Sequence, residues 1–467
     1  MKITFIAAFL LMISTCTTVG AQTAGERIYV NSNNEFAVNG KRIWMNGVNT
    51  PWNSWNDFGG SYNSQWWDNE FARLRKAGIN SARIWINCNN DNHAITIDAN
   101  GNVSGASEKH WADVASLLDL AKKNKIYVMA AITSFDHFKS SQASRWRAML
   151  TSKSASQSFV DNYMIPFLNK FKDNPYLWCI DLMNEPDWVY ENSECGNIPW
   201  NNISYFFAIN AAAIHENSQV LVTVGLAYPK WNADGGSYQG NKVSDTYLKS
   251  LYDNSKAYLD FWSPHYYDWV GEWYGVPHYL SPYGKLGGNK TSGWTGGWGL
   301  DSSKPALLGE CSARGTGKNL YGLKDNSIIT DYEQAFLNGW QGVMAWTSNA
   351  VDDNGGLAPT GNPSRDTDLG LATMNMFTNY PQLIFPTDIT TDIRKLQSAN
   401  PLRAWVRNGN LHAAGLTPGK TLSVYDAAGT LVFQSVFTSE DADIPLRAQE
   451  MYIIHQDDRT IKVLFGK

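Results

Sequence analysis

Two glutamates stand at or near the ends of apolar, strand-like runs that are far apart in the chain. Glu185 lies in LWCIDLMNEP (177–186), and Glu310 lies in KPALLGEC (304–311). Hydrolysis of a glycosidic bond with retention of configuration needs two facing carboxyl groups about 5 to 5.5 Å apart, one protonated and one ionised. We therefore interpret Glu185 and Glu310 as a candidate pair for this chemistry, provided that separate, rigid elements bring them into one cleft.

The elements that would position this pair alternate between two types from about residue 42 to 349. Short runs rich in β-branched and aromatic residues alternate with amphipathic stretches, which is typical of a parallel β/α fold. Eight runs are strand candidates: 42–49, 81–88, 125–132, 177–186, 220–225, 259–267, 304–311 and 342–349. Helical stretches are expected around 64–77, 111–121, 155–172, 200–217, 327–340 and 373–384.

Eight such units predict an α/β fold, an eight-stranded β/α (TIM) barrel over 26–384, rather than an open doubly wound sheet. A hairpin over 26–41 is expected at the floor of the barrel. Catalytic groups of these barrels lie at the C-terminal ends of the strands. The ends of the fourth and seventh strands would therefore place both glutamates in one cleft.

Six positions at the predicted strand ends resemble glycoside hydrolase family 5 of clan A. They are Asn184-Glu185-Pro186, Gly309-Glu310, Arg83, His265, Tyr267 and Trp346. The match covers roughly residues 35–384. The resemblance implies a retaining hydrolase of β-linked polysaccharide or oligosaccharide with Glu185 as general acid/base and Glu310 as nucleophile. Neither a metal nor an organic cofactor is expected, because two carboxyl groups and water complete this reaction.

The resemblance also assigns roles to the neighbours of the two glutamates. Arg83 and Tyr267 would favour the charged form of Glu310 and lower its pKa, whereas burial and the opposite negative charge would raise the pKa of Glu185. Asn184 would bind the sugar 2-hydroxyl. His265 would bind Glu185 or substrate, or act only as a structural strand histidine.

Tryptophans are expected to form sugar platforms, because sugar rings present apolar C–H faces to flat aromatic groups. Trp346 would form the floor of the cleft. Candidates in loops at the catalytic end are Trp52, Trp55, Trp188, Trp231, Trp269, Trp273, Trp294 and Trp298, about half of which should touch substrate. We expect Trp52, Trp188 and Trp269 among those that do. Of the acids beside the motif, Asp181 is expected deeper in the barrel and Asp187 pointing outward.

The third strand departs from the pattern of the family's cellulases. Many of these enzymes end this strand with a histidine, whereas here Thr133-Ser134-Phe135 follows the strand and His137 comes late. Arg83-Ile84-Trp85 and the polar-aromatic pair after strand three resemble the family's mannanases more closely. This favours β-1,4-mannan over β-1,4-glucan. Exo action and a non-catalytic glycan-binding barrel remain alternatives.

Charge and hydropathy exclude several classes of partner. The net charge is −5 over 467 residues, and the sequence has no run of Lys and Arg that would follow a phosphate backbone, so nucleic acid is not expected. After the N-terminus no segment reaches the ~18 apolar residues of a membrane span. A monomer is expected.

The N-terminus has the pattern of an export signal. Lys2 precedes an apolar run over 3–13, and Val19-Gly20-Ala21 resembles a cleavage site, so 1–21 is interpreted as a signal peptide of a secreted or cell-surface protein. A lipoprotein anchor at Cys16 is the alternative. Export would leave four cysteines, whose pairing stays open although buried free thiols are preferred: Cys88, Cys179, Cys195 and Cys311.

The composition and pattern of the sequence change after the predicted barrel. A polar linker over 385–400 precedes short strand candidates in a small, β-sandwich-like all-β domain over 401–467. The order of its runs resembles the C-terminal sorting domains of Bacteroidetes-type secretion. A carbohydrate-binding module is the alternative.

Overall fold

A computed structural model describes most of the chain in two compact units. The units are Met1–Thr387 and Asp388–Lys467. The described residues are 26–233, 240–275, 280–289, 292–315, 327–388, 402–407, 410–426, 430–447, 451–456 and 459–464. The expected signal peptide 1–21, Cys16 and most of the expected linker 385–400 lie outside these ranges.

Eight parallel strands form the central sheet of the first unit. They are β1 (Met45–Asn49), β2 (Ser81–Trp85), β3 (Tyr127–Ala131), β4 (Leu177–Asn184), β5 (Leu221–Leu226), β6 (Ser263–Pro264), β7 (Leu308–Ser312) and β8 (Gly342–Trp346). Their order is β6-β5-β4-β3-β2-β1-β8-β7. Parallel bridges from Trp262 to Ala306 and from His265 to Glu310 join the two outer strands. The sheet thus closes on itself, and the predicted β/α barrel is confirmed.

Strand β6 is much shorter than the predicted run 259–267. The segment around it pairs through separate bridges at Trp262 and His265 instead of one continuous ladder. Pro264 supplies no N–H to such a ladder. The two bridges nevertheless fix His265 directly beside Glu310.

Helices occupy most of the connections between the strands. They are α1 (Ser64–Lys76), α2 (Glu108–Asn124), α3 (Ala143–Thr151), α4 (Lys153–Phe159), α5 (Ile165–Phe171), α6 (Asp187–Glu191), α7 (Trp200–Asn217), α8 (Asp245–Leu251), α9 (Asp268–Tyr274), α10 (Ile328–Leu337), α11 (Leu369–Asn379) and α12 (Pro381–Ile384). One turn over Val160–Met164 links α4 to α5, so the expected stretch 155–172 is helical up to Phe171. No helix in the described ranges has the length and apolar character that crossing a bilayer requires.

A small three-stranded sheet covers the N-terminal end of the barrel. Its strands are Ile28–Val30, Phe36–Val38 and Lys41–Arg42. Phe36 is fully buried and meets the rings of Trp178 and Phe261 edge-on, at 5.3 and 5.0 Å between centroids. Because Trp178 belongs to β4 and Phe261 leads into β6, the expected hairpin seals the barrel floor away from the catalytic end.

The second unit contains only strands in its described part. One sheet joins Arg403–Arg407, Asn410–Ala414 and Asp441–Arg447, and the other joins Leu431–Val436, Thr421–Tyr425, Met451–Gln456 and Arg459–Leu464. It has a core of its own, formed by Leu402, Leu411, Ala413, Leu416, Leu422, Val424, Ile444 and Ile454. The expected small all-β region is therefore present.

The four cysteines that follow the expected signal peptide are free thiols. Cys88, Cys179, Cys195 and Cys311 are all buried and none forms a disulfide. Burial raises the pKa of each thiol, that of Cys195 to about 11. The preferred interpretation as buried free thiols is confirmed.

Truncating the floor residue should destabilise the first unit. Phe36→Ala removes a buried ring from its contacts with Trp178 and Phe261, which should lower the free energy of unfolding by about 3 to 5 kcal/mol. Tyr29→Ala in the same hairpin is the control, because Tyr29 is 41% exposed and should change that free energy by about 0.5 kcal/mol at most. Urea titration followed by tryptophan fluorescence measures both; equal effects would contradict the assigned role of Phe36.

Candidate active site

A cleft of about 600 Å³ opens at the C-terminal ends of the strands. Eight of the ten residues singled out from the sequence line it: Trp52, Asn184, Glu185, Trp188, Tyr267, Trp269, Glu310 and Trp346. The other two, Arg83 and His265, are fully buried beneath the lining. The strand ends therefore bring all ten side chains to one end of the barrel.

Glu310 is held at both carboxylate oxygens. Oε1 accepts a hydrogen bond from Nη1 of Arg83 at 2.6 Å, and Oε2 accepts one from the hydroxyl of Tyr267 at 2.8 Å. The residue is only 4% exposed. A carboxylate fixed in this way points in one direction, as a nucleophile requires.

Glu185 follows directly on β4 and leaves the strand by an unusual backbone turn. Its φ is 49°, in the left-handed region that few non-glycine residues adopt. Its N–H donates to the carbonyl of Gly225 on β5, which holds the turn at 2.7 Å. Nε1 of Trp188 donates to Oε2 at 2.8 Å, and Oε1 lies 2.9 Å from Nδ1 of His265. These contacts aim the carboxyl group across the cleft.

The two carboxyl groups meet in one pocket. An oxygen of Glu185, an oxygen of Glu310 and a ring nitrogen of His265 all lie within 4.8 Å of one another. This spacing is that of a retaining pair, since inverting pairs are about 6.5 to 9.5 Å apart. The requirement stated at the outset, two facing carboxyl groups in one cleft, is met.

Arg83 forms the buried centre of the site. Its Nε and Nη2 donate to Oδ2 of Asp181 at 2.9 and 2.7 Å. The guanidinium also donates to the side-chain oxygens of Asn49 and Asn184, at 3.1 and 2.9 Å. Asp181, expected deeper in the barrel, lies there at zero exposure. One cation on β2 thus connects β1, β4 and β7.

Asn49 is a site residue that the sequence reading missed. Its Nδ2 donates to the carbonyls of Gly309 and Met344 at 3.0 and 2.9 Å, and its Oδ1 accepts from Arg83. Asn49 ends the first strand candidate, so strand-end position was an available signal. Its role of joining β1 to β7 and β8 emerges only from the closed sheet.

Burial raises the pKa of both glutamates, and the groups that oppose this effect differ between them. It raises the pKa of Glu185 to about 7, an effect opposed by the hydrogen bond from Trp188 and by the charge of Arg83 and supported by the charge of Asp136. Burial also raises the pKa of Glu310, while His265, Arg83 and Tyr267 act to lower it. The prediction of a lowered pKa for Glu310 is therefore wrong: both named groups act in the expected direction, but desolvation outweighs them.

His265 is a neutral imidazole at the base of the pair. Burial lowers its pKa to about 4, so the ring is uncharged at neutral pH. A neutral ring with its proton on Nδ1 donates to Glu185, which leaves Nε2 as an acceptor. Of the three roles considered, contact with Glu185 is the one the geometry provides.

Two groups of aromatic rings flank the carboxyl pair. Trp52 meets Trp85 and Trp346 edge-on, each at 6.0 Å between centroids, near the ends of β1, β2 and β8. Trp188 and Trp269 lie 5.7 Å apart beyond β4 and β6. We call the first group the β1–β8 wall and the second the β4–β6 wall. The cleft runs between them.

Other sequence candidates lie elsewhere. Trp298 is fully buried, and Trp231 is buried with its Nε1 bonded to Glu191. Trp55 is 41% exposed and packs on Trp52 without lining the cleft. The side chains of Trp273 and Trp294 lie outside the described residues. The candidates that line the cleft are thus those on the two walls.

Two further expectations concern residues near the strand ends. Asp187 is buried instead of pointing outward, because the first turn of α6 directs its Oδ2 to the N–H of Ala227 at 2.8 Å. His137 is also fully buried, with Nε2 at 2.8 Å from Oδ1 of Asn87. It does not line the cleft, so the histidine found at this strand end in many cellulases has no counterpart there.

Six further residues that line the cleft were missed because they lie at or after the ends of strands, outside the apolar runs. They are Phe135, Asp136, Asp268, Ser312, Asp352 and Asn354. Asp352 accepts a hydrogen bond from Nε1 of Trp346 at 2.7 Å, which fixes the indole plane on the β1–β8 wall. Asp136 lies near enough to Glu185 to raise its pKa. No spacing rule signals such residues, since their place in the cleft depends on the path of the segments that follow the strands.

Glu185, His265 and Glu310 also form the one group of potential metal ligands that lie close together in the described ranges. Glu185, His265 and Glu310 satisfy the distances for a cation. However, Arg83 and Tyr267 already bind the two oxygens of Glu310. A guanidinium in direct contact opposes a second positive charge at this carboxylate, so the donor set suits a reacting carbon better than a metal.

Fold and site together define a glycoside hydrolase: a closed β/α barrel that presents two glutamates, on its fourth and seventh strands, to one aromatic-walled cleft. The conclusion rests on the site geometry as well as on the barrel, because barrels of this type serve many reactions.

Comparison with known proteins gives the same class. No family model matches the chain. It is 24% identical over 351 residues to a mannan endo-1,4-β-mannosidase of Cryptopygus antarcticus, covering 69% of this chain and 85% of that protein. A protein of the same name from Mytilus edulis is 24% identical, covering 70% of this chain and 89% of its own length.

Solved structures share the fold. The endo-1,4-β-mannanase of Eisenia fetida is 23% identical with a TM-score of 0.61, covering 75% of this chain and 95% of that chain. The β-1,4-mannanase of Aplysia kurodai is 25% identical with a TM-score of 0.59, covering 75% and 96%.

The protonation of Glu185 should control the alkaline limb of activity. Its carboxyl group is protonated below a pKa of about 7, so a general acid at this position is lost as pH rises through that value. Trp188→Phe removes a donor to the ionised form and should move the limb to higher pH. Asp136→Asn removes a nearby negative charge and should move it to lower pH, each by about 0.5 to 1 unit.

Profiles of kcat against pH measure both shifts. Asp119→Asn, at an exposed position on α2, is the control and should leave the limb in place. Displacement of both variants in the same direction, or of neither, would show that Glu185 does not set this limb.

Proposed function

We propose that the chain is a secreted, retaining endo-β-1,4-glycanase of family 5 that acts on β-mannan, with Glu185 as acid/base and Glu310 as nucleophile. The single observation that carries this proposal is the approach of a Glu185 oxygen and a Glu310 oxygen to within 4.8 Å beside His265. The names of the relatives support the choice of mannan.

In the first step, an ionised oxygen of Glu310 attacks the anomeric carbon while Glu185 gives its proton to the departing glycosidic oxygen. A covalent glycosyl–enzyme ester forms, and the C–O bond to the leaving sugar breaks. Arg83 and Tyr267 hold the attacking group in place through 2.6 and 2.8 Å contacts. Asn184 lines the cleft with 6% of its surface exposed, and it forms a hydrogen bond to the 2-hydroxyl of the bound sugar.

In the second step, Glu185 is ionised and acts as the base. It takes a proton from a water molecule, the water oxygen attacks the anomeric carbon, and Glu310 leaves as a carboxylate. Because His265 is neutral, it does not favour the ionised form of Glu185 as a positive charge would. Glu185 can therefore be protonated in the first step and ionised in the second. Two inversions at one carbon give net retention.

Mannan is favoured over β-1,4-glucan by two features of the site. Trp85 follows Arg83 on β2 and lines the cleft, as the mannanase-like Arg-x-Trp pattern requires. His137 lies behind the cleft and so cannot serve as the histidine that many cellulases place at the end of strand three. The endo mode follows the names of the relatives.

The remaining proposals concern location and assembly. The export-signal pattern of 1–21 supports secretion, with anchoring at Cys16 as the alternative. The order of runs in the second unit supports a sorting role for that unit. We propose that the protein acts as a monomer, since the groups of the site all come from one chain.

Hydrolysis assays with linear β-1,4-mannan, soluble cellulose derivatives and mixed-linkage glucan test the function. Mannan should be the best substrate, with retained configuration in the first product as seen by NMR. Glu310→Gln and Glu185→Gln should each lower kcat on mannan by at least about 10³-fold, the range of lost acid–base or nucleophilic catalysis.

Glu185→Gln has a further signature. Aryl glycosides with good leaving groups need no proton, so this variant should still form the glycosyl–enzyme ester from them, whereas Glu310→Gln should not. Glu35→Gln in the barrel-floor hairpin is the control. Undiminished turnover of mannan by Glu310→Gln, or an inverted product, would overturn the mechanism.

A further inference from the structure

A second pocket adjoins the cleft behind the β1–β8 wall. Its volume is about 510 Å³, comparable with that of the cleft itself. Its lining comes from the segment after β1, from α1 and from the segment after β8, and includes Trp52, Asn53, Trp66, Asn349, Val351 and Arg365. We call it the side pocket.

Trp52 lines both cavities, so they meet at one indole ring. The segment after β8 is shared in the same way, because Asp352 and Asn354 line the cleft while Asn349 and Val351 line the side pocket. Nδ2 of Asn349 donates to the carbonyl of Trp52 at 2.7 Å, which ties the two segments together. A glycan that extended past the ring of Trp52 would therefore reach the side pocket.

The charges of the side pocket are paired. Arg73 binds both oxygens of Glu70 at 2.8 Å, and Glu70 also accepts from the hydroxyl of Ser348 at 2.7 Å. Arg365 donates to the carbonyl of Ala350 and to Asp353. With its ions neutralised, the pocket offers two indoles and polar groups, which suits an uncharged polyol better than an ionic ligand.

We propose that the side pocket is an additional subsite that binds further β-1,4-linked sugars of the chain cleaved in the cleft. This inference rests on the proposed function. The proton donor Glu185 contacts Trp188 on the β4–β6 wall, so the leaving part of the glycan extends along that wall. The β1–β8 wall lies on the opposite side, and the side pocket therefore extends binding toward the non-reducing end.

Filling the side pocket should abolish the increase of kcat/KM with the length of the mannan chain. For wild type, kcat/KM should increase from β-1,4-mannotetraose to mannohexaose and beyond. Val351→Trp places a bulky ring in the pocket and should lower the ratio of kcat/KM for the longer to the shorter substrate by about tenfold, the effect of losing about 1.4 kcal/mol of binding. Val436→Trp makes the same change at an exposed position of the second unit and is the control.

Trp66→Ala is a second test, which removes a wall instead of filling the space. Circular dichroism identifies any variant that does not fold, and the other variant then decides. A ratio unchanged from wild type in the folded variants would overturn the subsite while leaving the proposed function intact. Absence of hydrolysis of every β-1,4-mannan by wild type would instead overturn the proposed function, and the subsite with it.

Discussion

The catalytic end of the barrel depends on one fully buried guanidinium. Arg83 is shared between two carboxylates, Asp181 at 2.7 Å and Glu310 at 2.6 Å, with no exposed surface of its own. Removing one partner from a buried ion pair leaves an uncompensated charge, which costs about 3 to 5 kcal/mol. The barrel therefore brings its strands together around a polar centre as well as an apolar one.

This arrangement ties catalysis to stability. Burying Glu310 opposes its ionisation, and the arginine that partly opposes this effect is itself kept charged against its own burial by Asp181 and Glu310. Asp181 also accepts from the N–H of Gly225, which holds the adjoining end of β5. The backbone of Glu185 bonds to the carbonyl of the same glycine. Asp181, which takes no part in the reaction, thus helps to position Glu310 through Arg83 and Glu185 through Gly225.

Much of this site could be predicted from sequence because strand ends are local features. Apolar runs that contain Arg83 or end at or near Glu185, Tyr267 or Glu310 identify the strands, and barrel closure then brings these residues together. Loops follow no such rule, so Asp136, Asp352 and Asn354 were missed although they line the cleft.

The remaining errors have physical causes that a sequence does not display. Asp187 was expected outside because it follows a proline, but the first turn of α6 directs it to a backbone N–H. The sign of the pKa shift at Glu310 depends on the balance between desolvation and charge. To predict that balance, the burial of Glu310 must be known. Identifying Arg83 and Tyr267 as its partners is not enough to give the sign of the shift.

The four sequestered thiols have a consequence for how the chain matures. A thiol reacts with oxidants and disulfides mainly as thiolate, and burial keeps each of these groups protonated and out of reach. Folding of the described structure therefore needs no oxidase and no disulfide isomerase. Once folded, the described structure presents no accessible thiol that would respond to the redox poise of a reducing or an oxidising compartment.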